Sequence, residues 1–533
     1  METQKISENA EERIRFLERR LDVAYTRLVY GGRSNPGEWR KLLENGMKYY
    51  DEVCSFLDRD VFSTLSEEAR LSVLMLAING TAMYNTQPHA SGIENQESAT
   101  EQKKKLDKIK HILEDPFYES LIPAEGREKA NVYITLYVAA FCFLDGLSRE
   151  LYEEALEKAL WIEREWEKRP AFIEDSLYLT SLREILLYST YRTNSPEMER
   201  CLEKCVEIYE GRNRSDYSEK GLNPNLGYAK GLFLVLSNIK KKDPGKLSER
   251  MEELLYRLPL DVMSYLYKAP KRENLGYYVN VLAGFIKYFE ELPGGMRMRN
   301  FCIHSMAAMH PPTYVHSNMV AKISLCLTRH LLSLSPEVFC GFPGCETVED
   351  VLRKKEKILD YAWHSALYHD VGKLFVIDTI AMYGRKLLDS EYALIRSHPD
   401  KGAEIAARFE SMKEYVDVIR GHHRWYDGSD GYPLDFDVKK SPYGMVIAIV
   451  AVADGLDAAT DGVGRSYNRG KTLEEFKNEL KAGAGTHYAP YVAELFDDAA
   501  TCEDLRYLLE NGRRKTYKDT YFLLKDLIQK NAL

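Results

Sequence analysis

The chain has no surplus of positive charge. Lys and Arg number 73 against 82 Asp and Glu, a net charge of −9 over 533 residues. Sequence-independent binding of duplex DNA draws on clustered cations, so duplex DNA is not an expected partner. A local basic pocket for a small phosphate ligand stays open. Long apolar runs are missing too. The best one starts at Ile134 (ITLYVAAFCFLDGL) and meets Asp145 well short of the ~18 residues that a membrane span needs. No membrane segment is therefore expected. The first residues, METQKISENAEERIRF, have no apolar core of the kind a secretory leader carries. Cysteine is scarce, at nine. Few and odd in number, these read as reduced thiols of a cytoplasmic protein rather than as a disulfide framework. Cys201 and Cys205 lie one helical turn apart and read as packing residues, because no second pair follows.

What is present is a globular balance, 45% apolar and 29% charged, in a chain long enough for two or three domains. From Glu11 to about Phe289 the texture is helical, with apolar residues recurring at three and four. In LYEEALEKALWIEREWEK, Leu151, Ala155, Ala159 and Ile162 fall on one stripe. MERCLEKCVEIYEG repeats that texture around Leu202 and loosely resembles the packing helix of a tetratricopeptide-type hairpin. No constant period of about 34 residues emerges, so a degenerate helical repeat and a plain bundle both fit. Two polar stretches, NTQPHASGIENQESATEQKK from Asn85 and GRNRSDYSEKGLNPN from Gly211, read as loops. ELPGGMRMRN from Glu291 reads as a domain boundary or hinge. The expected layout is all-α: a helical sensory or docking region over 1–290, a second helical domain over 296–500, and a helical tail over 501–533. The first region would suit a protein or peptide partner.

Histidine usage changes sharply along the chain. Ten of the twelve histidines follow Pro293, so metal or acid–base chemistry is to be sought in the second half. ALYHDVGKLF closes a helical run and sets His369 beside Asp370. An imidazole and a carboxylate together can hold a cation, and the carboxylate can bridge two. Lys373 follows three positions on, on the same helix face, where it can set a positive charge beside phosphate oxygens. His398 stands in IRSHPDKG. His422 and His423 form a doublet in RGHHRWYDGSDGYP. Asp454 and Asp457 lie one turn apart in VADGLDAATD, and His316 opens the amphipathic stretch YVHSNMVAKISLCL. Several imidazoles with two or three carboxylates make a two-metal site chemically natural.

The pieces HDVGK, LLDSEYALIRSHPDKGAEI, HHRWYDGSDGYP, VADGLDAATDGVGRSY and LKAGAGTHYAP resemble the HD-GYP family of cyclic di-GMP phosphodiesterases, in the family's order and roughly its spacing. The resemblance covers about a third of the chain. It implies an all-helical metal phosphohydrolase with His316, His369, Asp370, His398, His422, His423 and Asp454 as ligands to two divalent ions, Fe or Mn. Asp370 would bridge and take part in catalysis, and Lys373 would contact substrate phosphate. Gly431, Tyr432 and Pro433 would shape the substrate pocket, and Arg465 matches a family arginine near it. The implied reaction is hydrolysis of a 3′–5′ phosphodiester in a cyclic dinucleotide, cyclic di-GMP first, within bacterial signalling.

Three departures stand out. Relatives with a third metal carry Glu four residues before the first ligand histidine, where this chain has Pro312; two metals are therefore expected, with His310 a weak substitute. Arg424 replaces the acid of the family's HHE, and Asp430 is inserted in DGSDGYP. The stretch from His316 to His369 is long, and its CGFPGC reads as a tolerated surface insertion. His304, His330 and His364 read as surface or packing residues, and His487 as structural. Two alternatives stay open: a degenerate domain that binds without turnover, and an HD phosphohydrolase for another nucleotide. The oligomeric state is open, with a homodimer as one candidate.

Overall fold

The computed structural model describes residues 2–30, 36–86, 95–141, 224–243, 245–269, 275–288, 295–380, 388–463 and 470–530, with six positions between 202 and 210. Every regular element among them is helical, and strand pairing is limited to isolated bridges. The expected all-α class holds. The chain forms two compact units: Met1–Leu255 with Arg272–Tyr277, and Tyr256–Lys271 with Tyr278–Leu533. The stripe at Leu151 lies outside the described residues, as does the polar stretch from Gly211 up to residue 223, and its end opens the helix Pro224–Lys242. No helix among those described is long and apolar enough to cross a membrane.

The first unit is built on amphipathic pairing. Helix Glu2–Tyr30 buries Ile14, Leu17, Leu21, Ala24 and Leu28, spaced by three and four, against Pro36–Ser55, which buries Trp39, Leu43, Tyr50 and Val53. The polar stretch from Asn85 is only partly a loop. A helix runs Asn95–Leu113, which corrects the reading from composition. Its buried face holds Ser98, Ala99, Gln102 and Leu106. Gln102 donates to Thr81 Oγ1 at 3.3 Å and Ser98 donates to the Tyr84 carbonyl. Apolar residues dominate this face only from Leu106 onward, so its first turns offer no hydrophobic period to read.

In the second unit, helix Pro311–Leu334 is the central rod. It packs against Lys355–Tyr368, Gly444–Thr460, Ala499–Tyr507 and Arg513–Lys530. It starts where it does because His310 caps it, Nδ1 accepting from the Thr313 amide, and Pro311 and Pro312 fill first-turn positions that need no amide hydrogen. CGFPGC is not a surface insertion. Phe339, Phe342 and Cys345 are buried, and the Phe342 ring lies 5.5 Å from Tyr361 and 5.7 Å from Tyr443. The segment wedges into the back of the His369 helix, so its apolar side chains are anchors.

Candidate metal centre

Helix Lys355–Tyr368 ends one residue before His369, and Asp370 opens the tight turn Val371–Phe375. That turn sits against helix His398–Arg408 at a contact only glycine permits. A methyl group on Gly372 would lie 1.9 Å from the His398 carbonyl oxygen and 2.6 Å from the Gly402 nitrogen. The glycines of HDVGK and HPDKG therefore let two backbones touch, and this contact brings His398 beside Asp370. Helix Val416–Gly421 delivers His422 at its end, with His423 next, and Gly444–Thr460 delivers Asp454 from its middle.

Three of the rings are oriented by one local device. His369, His398 and His422 each give Nδ1–H to the carbonyl three residues back: Ala366 at 2.6 Å, Ile395 at 2.7 Å and Ile419 at 2.8 Å. His316 instead gives Nδ1–H to Asp457 at 2.7 Å. With Nδ1 committed, Nε2 is the nitrogen that all four rings turn inward. These Nε2 atoms converge on two carboxylates. His316 lies 2.9 Å from Asp454 and 3.6 Å from Asp370; His369 lies 3.4 Å from Asp370; His398 and His422 lie 3.1 and 3.9 Å from its other oxygen. His423 Nδ1 is 3.6 Å from Asp454. The seven ligand candidates from the sequence thus lie in one neighbourhood, and Asp370 sits between the two groups of histidines.

The electrostatics are those of a cation site. Although burial favours the neutral acid, the surrounding imidazoles hold Asp370 and Asp454 well below the usual carboxylate range, with Lys373 adding to the effect on Asp370. Burial, reinforced by the neighbouring rings, pushes His422 far down, and burial takes His423 to about 3, so both are neutral donors. His316 goes the other way: burial pulls it down, but Asp454 and Asp457 raise it to about 9. His398 and His422 face each other Nε2 to Nε2 at 3.2 Å, two lone pairs in contact. His316 Nε2, His369 Nε2 and Asp370 Oδ1 are buried without a well-directed hydrogen bond, the 2.9 Å approach of His316 to Asp454 included. Orphaned buried acceptors are costly unless something positive sits among them. The residues fit divalent metal, and their donors fall into overlapping groups: His316, His369 and Asp454; His369, Asp370 and His422; His398, His422 and His423.

The remaining candidates surround this cluster. Lys373 ion-pairs with Asp370 within the tight turn. Tyr432 packs its ring 4.6 Å from His423, with Arg396 5.8 Å above the Tyr432 centroid. Gly431 has φ +87°, and a methyl there would come 2.3 Å from the His423 carbonyl; Pro433 follows through a cis bond. Arg465 lies outside the described residues. The two departures in this loop turn out to be partners. The Arg424 guanidinium donates to the carbonyls of Gly428 and inserted Asp430 at 2.6 Å and of Phe436 at 3.1 Å, so the replacement holds the lengthened loop. His487 stacks on Trp425 at 4.8 Å, a structural place. His310 serves as a helix cap. A separate grouping, Cys326, His330 and Asp504, is closed by a 2.9 Å His330–Asp504 ion pair.

Two groups escaped the sequence reading. Asp457 was visible one turn after Asp454 but was not given a role; it orients His316. Arg513, whose guanidinium meets Asp457 at 2.7 Å, carries no local motif, and only tertiary contact reveals it.

Comparison with known proteins agrees with this geometry. A 3′3′-cGAMP-specific phosphodiesterase of Vibrio cholerae is 33% identical over 153 residues, 28% of this chain and 28% of the relative. A cyclic di-GMP phosphodiesterase of Pseudomonas aeruginosa is 30% identical over 204 residues, 38% and 43% of the two chains. One from Thermotoga maritima is 33% identical over 134 residues, 25% and 35%. The chain spans less than half the length of these relatives. No solved structure matches. Residues 313–459 match the family model of the HD domain, an interval that holds all seven ligand candidates and Asp457, and this chain therefore carries an HD domain there.

Proposed function

We propose that the second unit is a divalent-metal phosphodiesterase that opens a cyclic dinucleotide, cyclic di-GMP first. The observation that carries this reading is the set of four imidazoles with Nδ1 committed elsewhere and Nε2 converging on buried, ionised Asp370 and Asp454. His316, His369, Asp370 and Asp454 would hold one ion; Asp370, His398, His422 and His423 would hold the other. Fe or Mn suits this mixture of imidazole and carboxylate. When bound, such a pair supplies Lewis-acid charge to a phosphate and acidifies water.

The chain's own residues do the rest. Lys373, held at Asp370, places an ammonium where charge builds on the phosphate oxygens, and a dry site strengthens its effect. Tyr432 offers a ring face at the rim beside His423, and Gly431 and Pro433 set its angle. Arg465, which matches a family arginine, is proposed as a substrate-binding residue. The relatives' printed names cover both cyclic di-GMP and 3′3′-cGAMP, and the loop held by Arg424 departs from the family pattern. Base preference is therefore part of the test.

The first unit is assigned a sensory or docking role for a protein or peptide partner, and a homodimer is one candidate assembly. Purified protein with Mn(II) or Fe(II) is to be offered cyclic di-GMP, 3′3′-cGAMP and a linear dinucleotide, with products read by chromatography. Linearised cyclic di-GMP is expected, and its loss in Asp370→Asn. A protein that takes up metal yet cuts no cyclic dinucleotide sinks the proposal.

A further inference from the structure

Arg513 is a charged side chain buried to 9% exposure on the C-terminal helix Arg513–Lys530, 56 residues along the chain from Asp457. Burying a guanidinium costs several kcal/mol unless it is paired and hydrogen-bonded. Its partners are specific. Nη2 donates to Asp457 Oδ1 at 2.7 Å and to Thr460 Oγ1 at 2.8 Å; Nη1 donates to the Thr460 carbonyl at 2.9 Å. Thr460 is the last residue of Gly444–Thr460, the helix that carries Asp454 and Asp457. Its terminal carbonyls have no partner within the helix and sit at the negative end of the dipole, so the guanidinium also closes that end.

The backbone is adjusted for this contact. A π-turn, Leu508–Gly512, directly precedes Arg513. One wide turn shifts the register of all that follows, and such turns gather at functional positions. Neighbouring side chains tie the same helix to the same elements: Tyr517 donates to Asp461 at 2.9 Å, and Lys322 of the His316 helix donates to Thr516 at 2.6 Å.

The other oxygen of Asp457 receives Nδ1–H of His316 at 2.7 Å. Arg513, Asp457, His316 and the metal centre therefore form one continuous line. Without the guanidinium that pins its other oxygen, the Asp457 carboxylate is free to turn, and the His316 ring loses the fixed partner that aims it. We propose that Arg513 is a positioning residue of the metal centre, acting through Asp457 to hold Nε2 of His316 toward the ions. This rests on the metal-centre reading above and extends the centre to the C-terminal helix.

The test measures metal, not turnover. Wild type, Arg513→Gln, Arg513→Lys, Asp457→Asn and the Gln/Asn double variant are stripped of metal, checked for helix content, and titrated with Mn(II), with electron paramagnetic resonance to detect coupled pairs. Wild type should bind two ions as a coupled pair. Arg513→Gln should weaken one of the two by about 10–100-fold, the usual cost of losing a group that orients a ligand, and lose the coupled signal. Lys restores charge without the fork and should recover part of the affinity. Asp457→Asn, which keeps volume and the Thr460 contacts, should reproduce the loss. The double variant should be no worse than the weaker single, since both cut one line. Should Arg513→Gln fail to fold, Asp457→Asn decides alone. Wild-type affinity and pairing in the folded variants, or additive losses, overturn the proposal. If wild type itself binds no pair, the metal-centre reading falls; if wild type does and the variants do too, only the role of Arg513 falls.

Discussion

The two units differ in what they put inside. Among the described residues, the polar side chains buried in the first unit are neutral: Thr81, Ser98, Gln102 and Ser237. The second unit buries His316, His369, Asp370, His398, His422, Asp454, Asp457 and Arg513. Neutral groups need one hydrogen bond each to be tolerated, and Ser98 and Gln102 have theirs. Ionised groups need partners of opposite charge, and the carboxylates here are held together with imidazoles whose lone pairs face one another. The contrast teaches how to separate a polar core from a site. Both units leave some buried polar atoms open, Gln102 Oε1 and Ser237 Oγ in the first, but among the described residues the second gathers its open acceptors at one place, at His316, His369 and Asp370.

The strongest way to break this contrast is Asp370→Asn. Removing the charge shared by both groups of histidines should take cyclic di-GMP hydrolysis to background and abolish paired metal uptake, as metal analysis beside the product assay would show. Next comes metal itself. At about 100 times its dissociation constant, a bound ion should stabilise the second unit by about 2.7 kcal/mol, reversed by chelation, with the first unit's transition unmoved. Calorimetry of the full chain reads both; equal shifts in both units would erase the distinction. Gly372→Ala forces the turn and the His398 helix apart and should cost about 1–3 kcal/mol. A thermal melt should register this as a lower second-unit transition, together with weaker metal binding. The smallest effect belongs to the first unit: Ser98→Ala should cost about 0.5–1.5 kcal/mol and leave metal affinity unchanged. A change in metal affinity there would blur the contrast.

Helical class was legible because it depends on short-range pattern, and the candidate ligand strings were legible because their order resembles a known family. Spacing by three and four marks the face of Glu2–Tyr30, and HD, HH and the Asp454–Asp457 pair are local strings. Legibility failed where burial was polar or distant. The first turns of the Asn95–Leu113 helix bury Ser98, Ala99 and Gln102, and leucine enters the buried face only at Leu106. Phe342 looks like an insertion until its ring meets Tyr361 and Tyr443. Arg424 and Asp430 looked like two defects until one was seen to hold the other.

Residue chemistry and local periodicity by themselves determined that this protein is helical, where its histidines gather and which atoms could ligate. Only the tertiary structure decided that Nε2 is the presented nitrogen, that Gly372 and Gly402 are what bring His398 to Asp370, and that Arg513 stands behind His316. The reason is physical: a side chain's identity is written at its own position, but its tautomer, its charge and its orientation are set by neighbours that arrive from elsewhere in the chain.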